Sequence, residues 1–203
     1  MCVVAVIAAV AFVAWSHRPV PFQSYGGAAT ANDQLYRVTV DPSGGVWAID
    51  VRFDRDPSAS GARQLSTLII HGEKGHWVIA KSFDAATGVS ISDLAMVSPT
   101  EGWAVGGIFG SNTYGVVLHF KDGDWSEEPF HPRGVLSAIA MVSPTEGWAV
   151  GGDTTPNGAV TILHYSDGAW ASVDLQAPIT GELFAISMTS AVTGWAARLT
   201  ATP

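Results

Sequence analysis

Three histidines recur at equivalent places along the chain, and histidine is a common ligand of zinc. They are His71, His119 and His164. Ligands that share one zinc ion must each lie about 2.0 to 2.1 Å from it, whereas packed β-sheets lie about 10 Å apart. Since each histidine belongs to a different repeat, as shown below, the three cannot meet at one ion. We expect each histidine to be buried and hydrogen-bonded within its own repeat, and we predict no metal site and no cofactor.

Two glutamates also occupy equivalent positions, and paired carboxylates hydrolyse glycosidic bonds in most glycosidases. Glu101 and Glu146 lie in identical Ser-Pro-Thr-Glu-Gly segments. Glycosidase carboxyls lie about 5 to 9.5 Å apart, and burial raises the pKa of one of them. Two turn residues from different repeats do not meet these conditions. We expect both to be solvated, and we predict no catalytic residue.

Tryptophans recur once or twice in each repeat, and a row of such rings can stack on sugars. They are Trp47, Trp77, Trp103, Trp125, Trp148, Trp170 and Trp195. A large ring at the same place in every repeat is explained most simply by packing of one repeat on the next. We expect that role, with each indole N–H bonded to a local acceptor.

These residues lie in two motifs that repeat in step. The first, Ala-Met-Val-Ser-Pro-Thr-Glu-Gly-Trp-Ala-Val-Gly-Gly, is nearly unchanged in two copies and divergent in two others. Its copies span residues 38–49, 94–107, 139–152 and 186–197. The second has a histidine before an Asp-Gly turn and a tryptophan after it, and its copies span residues 70–77, 118–125 and 163–170. The copies are 45 to 48 residues apart where the match is clear, a period typical of propeller blades, kelch units and helical arrays.

Composition favours strands over helices within each repeat. Short runs rich in Val, Ile, Tyr and Trp are bounded by Gly, Pro, Asp and Ser, which indicates strands and tight turns. In the third copy the predicted strands are 136–142, 148–151, 159–165 and 169–175. The Asp-Gly pairs suit type I′ turns, and in Ser-Pro-Thr-Glu-Gly we expect the glycine to be left-handed. Four antiparallel strands per repeat make a propeller blade.

We therefore predict an all-β chain, a β-propeller of four-stranded antiparallel blades with about three and a half blades present. The predicted blades are residues 34–83, 90–130, 135–175 and, in part, 182–203. A propeller needs about four to eight blades. We expect an incomplete ring, with missing blades of a longer protein, or another chain, completing it; an unusually short propeller is the alternative.

The Gly-Trp-Ala-Val-Gly-Gly element and the Asp-Gly-x-Trp turns at 122–125 and 167–170 resemble a known family. It is the Asp-box, or bacterial-neuraminidase-repeat-like, group of β-propellers, in particular secreted bacterial propellers related to the photosystem II stability and assembly factor. The resemblance covers about residues 34–203. It implies an extracytoplasmic binding or assembly platform in some members and a glycosidase in others, and we carry over no catalytic residue from it.

The N-terminal segment indicates export. Residues 2–15 are uniformly apolar and as a helix would span about 21 Å, less than the roughly 30 Å of a bilayer core. We predict a signal peptide or N-terminal membrane anchor at residues 1–18, a linker at 19–33 and an extracytoplasmic location; a buried helix or strand is the alternative. No cationic residue precedes the apolar run, so we expect the natural start to lie upstream.

Net charge argues against a nucleic-acid partner, and the cysteine count excludes an intrachain disulfide. The 203 residues carry a net charge of −8 without basic clusters, so we predict no nucleic-acid partner. Contact with a membrane is expected only through the N-terminal segment. Cys2 is the single cysteine, which excludes an intrachain disulfide.

Function is expected in the loops that differ between repeats, because rigid scaffolds carry binding residues on variable loops. Loops between second and third strands and connections between blades should emerge on one rim. The candidate ligand-binding residues there are Asp54, Arg55, Arg63, Asn112, Tyr114, His131, Arg133, Asp153 and Asn157. We predict a non-enzymatic interaction module that binds a protein or polysaccharide partner. The alternative is a secreted glycan-active hydrolase or lyase, sialidase-like, with most catalytic residues outside this chain.

Overall fold

The computed structural model describes residues 33–55, 63–73, 76–153, 155, 158–177 and 179–198. These residues form antiparallel strands and one short 3-10 turn at Ala85–Thr87. The all-β prediction is confirmed. The predicted N-terminal signal or anchor lies outside the described residues, as does the linker except for Asp33. In the described part, no helix is long and apolar enough to cross a membrane.

The strands form four sheets in chain order. Sheet 1 contains β1 (Asp33–Val40), β2 (Val46–Arg55), β3 (Arg63–Glu73) and β4 (His76–Phe83). Sheet 2 contains β5 (Val89–Ser98), β6 (Glu101–Ile108), β7 (Tyr114–Lys121) and β8 (Asp124–Glu127). Sheet 3 contains β9 (Val135–Ser143), β10 (Glu146–Gly152), β11 (Val160–Ser166) and β12 (Ala169–Ser172). Sheet 4 contains β13 (Leu183–Ser190) and β14 (Thr193–Arg198).

Each sheet is a meander, in which strands that follow each other in the sequence are hydrogen-bonded neighbours. The sheets pack face to face in chain order, and a separate apolar cluster lies at each junction. Trp47 and Ile49 of sheet 1 pack with Phe120 and Trp125 of sheet 2. Between sheets 2 and 3 the cluster is Trp103, Val105, Val117, Leu136, Ile139, Ala149, Leu163, Tyr165 and Trp170. Between sheets 3 and 4 it is smaller, with Ala138, Val150, Val160 and Leu183.

The first strands of neighbouring sheets are joined by polar contacts. Arg37 Nε of β1 lies 3.4 Å from Asp93 Oδ1 of β5. The other oxygen of Asp93 accepts the backbone N–H of Ile139 in β9 at 3.1 Å. One half-buried carboxylate therefore links three consecutive sheets. Burial raises the pKa of Asp93, and the bonds from Ile139 and Leu94 and the charge of Arg37 offset only part of that rise.

The Asp-Gly turns have the predicted conformation. Asp122 and Gly123 have φ of 50° and 97°, and Asp167 and Gly168 have φ of 53° and 81°. Both central residues of a type I′ turn require positive φ, so these two hairpins match the prediction. Aspartate tolerates the left-handed region better than most residues.

The prediction of a left-handed glycine in Ser-Pro-Thr-Glu-Gly is wrong. Gly102 and Gly147 lie inside β6 and β10 and are absent from the described residues with positive φ. The turn is completed earlier, because Glu101 already pairs with Ser98, and Glu146 with Ser143. A Cβ at either glycine would instead overlap the side chain of the methionine in the paired strand, Met96 or Met141, which would have to move to admit it.

Candidate functional site

The repeated histidines form a ring stack in each complete sheet. His71, His119 and His164 pair directly across the strands with Trp47, Trp103 and Trp148. The ring centroids of these pairs lie 4.1, 4.6 and 4.0 Å apart, with near-parallel planes. Each histidine is half-buried within its own sheet. Among the described residues no group of three or more His, Cys, Asp or Glu side chains could hold a metal ion.

The expectation that Glu101 and Glu146 are solvated turn residues is wrong. Glu101 Oε1 lies 3.4 Å from His119 Nε2, and Glu146 Oε1 contacts His164 Nε2. His119 Nδ1 also lies 3.4 Å from Glu128 Oε1. The glutamate begins the second strand and the histidine lies on the third, so the turn places each carboxylate beside the imidazole of its own sheet. Each glutamate thus supports a Trp–His stack.

The prediction that the tryptophans pack between sheets is confirmed for Trp47, Trp103, Trp125 and Trp170. It is wrong for Trp77, which packs against its own sheet, and for Trp195, which is exposed.

The N–H groups of the rings also differ in their partners. Trp47 Nε1 lies 3.4 Å from Asp41 Oδ2 in its own sheet. Trp148 Nε1 donates to the carbonyl of Ala191 in sheet 4 at 3.0 Å. Within the described part of the chain, the buried indole N–H groups of Trp103, Trp125 and Trp170 have no acceptor. The prediction of a local acceptor for every ring is therefore wrong for these three.

Several predicted rim residues are not in loops. Asp54 and Arg55 belong to β2 and Arg63 to β3, and Arg55 pairs with Arg63. The β2–β3 hairpin is longer than the equivalent hairpins β6–β7 and β10–β11. These residues therefore lie in paired strands and not in a loop. Asn157 lies outside the described residues.

Tyr114, His131 and Arg133 are brought together at one edge of sheet 2. Arg133 forms an isolated antiparallel bridge with Tyr114, next to a hydrogen bond from Gly115 N–H to the carbonyl of Pro132 at 2.8 Å. The His131 ring stacks on the Tyr114 ring, with centroids 4.9 Å apart and planes at 20°. His131 Nε2 also lies 3.5 Å from Glu127 Oε1. We call Tyr114, His131 and Arg133 the rim cluster.

His131 and Arg133 of the rim cluster line a cleft between the connection after sheet 2 and the outer strands of sheet 3, with a volume of about 320 Å³. It is lined by Phe130, His131, Pro132, Arg133, Val160, Thr161, Ile162, Ser172 and Val173. The Thr161 hydroxyl donates to the carbonyl of Arg133 at 2.7 Å, which fixes the connection against sheet 3. The cleft combines one guanidinium and one imidazole with two hydroxyls and an apolar wall. Its volume is at the lower end of the range for ligand sites, so it suits a small unit of a larger ligand.

The two other predicted residues with described positions lie near this edge. Asn112 is exposed in the loop that leads into Tyr114. Asp153 Oδ1 accepts the N–H of Thr155 at 3.0 Å. The backbone of Asp153 approaches Gly134, since a Cβ on that glycine would lie 2.8 Å from Asp153 N. Loops and connections therefore do share an edge here, whereas Thr161 and Ser172 were not predicted, because they lie within strands.

The rim cluster interrupts the repetition of the chain. Each connection between consecutive sheets ends with a glycine of positive φ, namely Gly88, Gly134 and Gly181. The four residues before them are Asp-Ala-Ala-Thr, Phe-His-Pro-Arg and Ala-Pro-Ile-Thr. The residue of sheet 3 that is equivalent to Tyr114 is Ala159, because Ala159 bridges Thr180 as Tyr114 bridges Arg133. Of the described connections, that between sheets 2 and 3 alone carries a phenylalanine, a histidine and an arginine.

No known protein-family model matches the chain, and no curated protein is significantly similar to it.

Proposed function

We propose that this chain is a non-enzymatic, extracytoplasmic interaction module of the β-propeller type, related to the Asp-box propellers, which binds a protein or polysaccharide partner at its rim. The observation that carries the proposal is the rim cluster. The scaffold repeats from sheet to sheet, whereas Tyr114, His131 and Arg133 do not. Residues that the fold does not need, gathered beside a cleft, are candidates for binding.

The chemistry of the rim cluster favours a partner with a negative group next to an apolar or ring-shaped surface. Arg133 is exposed, and no ion pair to its side chain is found within the described residues. A guanidinium presents a planar pair of donors that matches a carboxylate or sulfate. Thr161 and Ser172 offer hydroxyls across the cleft.

Binding to immobilised polysaccharides and peptides tests the proposal. The full chain is applied to a panel that pairs acidic and neutral polysaccharides with acidic and neutral peptides. Binding to acidic members that is weakened about tenfold or more by Arg133→Ala and Tyr114→Ala supports it, since a charged hydrogen bond contributes about 1.5 to 3 kcal/mol.

Lys121→Ala is the matched control for charge. Lys121 is exposed at the Asp-Gly turn, the opposite end of β7 from Tyr114, so its loss should leave binding unchanged. Equal weakening by Lys121→Ala, or no binding to any member, would contradict the proposal. Release of reducing sugar from a bound polysaccharide would instead favour the hydrolase alternative.

Export is tested separately with a fusion to a phosphatase that folds only outside the cytoplasm. Residues 1–33 in front of that reporter should give activity, and charged substitutions in the apolar run should abolish it. Inactivity of the unmodified fusion would contradict export by residues 1–33 without affecting the rim site.

A further inference from the structure

The outer strand of sheet 3 presents an uncharged edge. Within the described residues, β12 has the sequence Ala-Trp-Ala-Ser and pairs with β11 alone. The chain continues past β12 into sheet 4, and neither described strand of sheet 4 pairs with it. Proteins usually protect such an edge with charged side chains, because unpaired backbone groups attract other strands. The side chains of β12 provide no such protection.

The equivalent edge of sheet 2 is protected. The sequence of β8 is Asp-Trp-Ser-Glu, with a carboxylate at each end. The ammonium group of Lys81, from sheet 1, donates to the carbonyl of Trp125 at 2.8 Å. Trp170 is the equivalent residue of sheet 3, since both tryptophans follow the Asp-Gly turn by one residue. In the described part of the chain, no side chain reaches the carbonyl of Trp170 as Lys81 reaches that of Trp125.

The register shows which backbone groups of β12 face outward. The N–H of Val173 donates to the carbonyl of Ile162 in β11 at 2.9 Å. Hydrogen-bonded and non-hydrogen-bonded pairs alternate along an antiparallel ladder. Ser172 directly precedes Val173, and Trp170 lies two residues further back, so both belong to non-hydrogen-bonded pairs. Their N–H and C=O groups therefore point away from β11.

The rim cluster supplies positive charge at one end of this edge. Ser172 lines the cleft together with His131 and Arg133. Trp170 packs in the cluster between sheets 2 and 3, and side chains two residues apart on a strand share a face. The side chain opposite Ser172 on an added strand would lie on that same face, beside Arg133. Charge complementarity makes that residue acidic, whereas the residue opposite Trp170 is apolar.

We infer that β12 is a docking edge for an extended acidic segment of a partner protein. The segment runs antiparallel to β12, with its acidic residue opposite Ser172 and an apolar residue two positions later opposite Trp170. The inference rests on the proposed function, because Arg133 holds the carboxylate. Backbone hydrogen bonds to a sheet edge supply affinity, and alternate side chains supply specificity. A polysaccharide is less suitable, since it has no regular row of N–H and C=O groups to pair with the strand.

The test measures binding of a fluorescent peptide, Ser-Thr-Glu-Thr-Val-Thr-Ser with blocked ends, to the full chain by anisotropy. Ser172→Pro removes an outward N–H and leaves the bonds to β11 in place, and edge strands accept proline at such a position. It should weaken binding about fivefold, the effect of one lost hydrogen bond. Ser172→Ala is the matched control: it keeps the N–H, loses only the hydroxyl, and should bind as the wild type does.

Two changes to the peptide test the inference without altering the protein. Methylation of the glutamate backbone nitrogen should weaken binding about fivefold, and lysine in place of glutamate about tenfold. Binding that N-methylation leaves unchanged overturns the inference, as does equal weakening by Ser172→Ala and Ser172→Pro. Polysaccharide binding that depends on Arg133, without any peptide binding, overturns this inference and leaves the proposed function standing. Absence of both kinds of binding overturns both.

Discussion

Asp41 shows how one side chain can hold a turn and a tryptophan together. Its Oδ1 accepts the backbone N–H of Ser43 at 2.7 Å, the Ser43 hydroxyl at 2.6 Å and the N–H of Gly45 at 3.1 Å. Its other oxygen faces Trp47 Nε1. Burial by itself raises the pKa of Asp41, but the hydrogen bonds from Ser43, Gly45 and Trp47 outweigh it and leave the pKa below the usual value.

Asp41→Asn should therefore destabilise the protein in a pH-dependent way. A carboxyl whose pKa is lowered by folding stabilises the native state above its unfolded pKa of about 3.9, and that stability is lost as the pH falls through the folded value. We expect the free energy of unfolding at pH 7 to fall by about 1 kcal/mol, the usual value for a lost hydrogen bond. The gap between the two proteins should close toward pH 2 in denaturant titrations. A gap that stays constant would show that the charge of Asp41 is not involved.

The paired glycines of the repeat are needed for close approach of backbones. A Cβ on Gly151 would collide with the carbonyl oxygen of Val135 and lie 2.8 Å from Leu136 Cα, both in the paired strand β9. We expect Gly151→Ala to lower the free energy of unfolding by about 1 to 3 kcal/mol, because backbone must shift to admit the methyl group. Gly110→Ala is the control, since a Cβ there meets no atom within 4 Å. Equal effects of both variants on thermal unfolding would refute the packing explanation.

At the scale of elements, sequence patterns predicted what is local and missed what depends on another strand. The Asp122-Gly123 turn follows from two adjacent residues. The stacked Trp–His pairs were not predicted, because they depend on the register between the second and third strands. The role of Gly102 could not be predicted, because the need for it comes from Met96 across the hairpin. The stacking of His131 on Tyr114 likewise depends on the path of the connection between sheets 2 and 3. The residues of the rim could be selected from the sequence because their segments differ between repeats. The contacts between these residues could not be predicted.

Asp93 links three strands. Its contribution to the free energy of unfolding should change with pH in the opposite direction to that of Asp41. Folding raises the pKa of Asp93. Its titration therefore contributes stability that is present below the unfolded pKa and is lost as the pH rises through the folded value. Relative to Asp93→Asn, which does not titrate, the wild-type protein should lose stability on going from pH 3 to pH 7. Unfolding curves of both proteins at these pH values test this. A wild-type advantage that grows with pH would mean that the ion pair with Arg37 outweighs burial.

At the scale of the molecule, the described sheets pack against their neighbours in chain order, with an apolar cluster at each junction. Sheets 2 and 3 are covered on both faces by apolar clusters. In the described part of the chain sheet 4 has two strands, and its apolar cluster with sheet 3 is the smallest of the three inter-sheet clusters. In such an array stability is approximately a sum of sheet and junction contributions. Local stability should therefore differ along the chain.

Hydrogen exchange should reveal this gradient. We expect amides of β6 and β10 to exchange slowest, because they are central strands of doubly covered sheets, and amides of β14 to exchange fastest among the strands, because its outer edge and all its side chains are exposed. Opening of β14 breaks few buried contacts, so its free energy lies far below that of global unfolding. Mass spectrometry of peptic fragments gives the rates. Uniform protection of all strands would contradict this gradient and would indicate one cooperative unit.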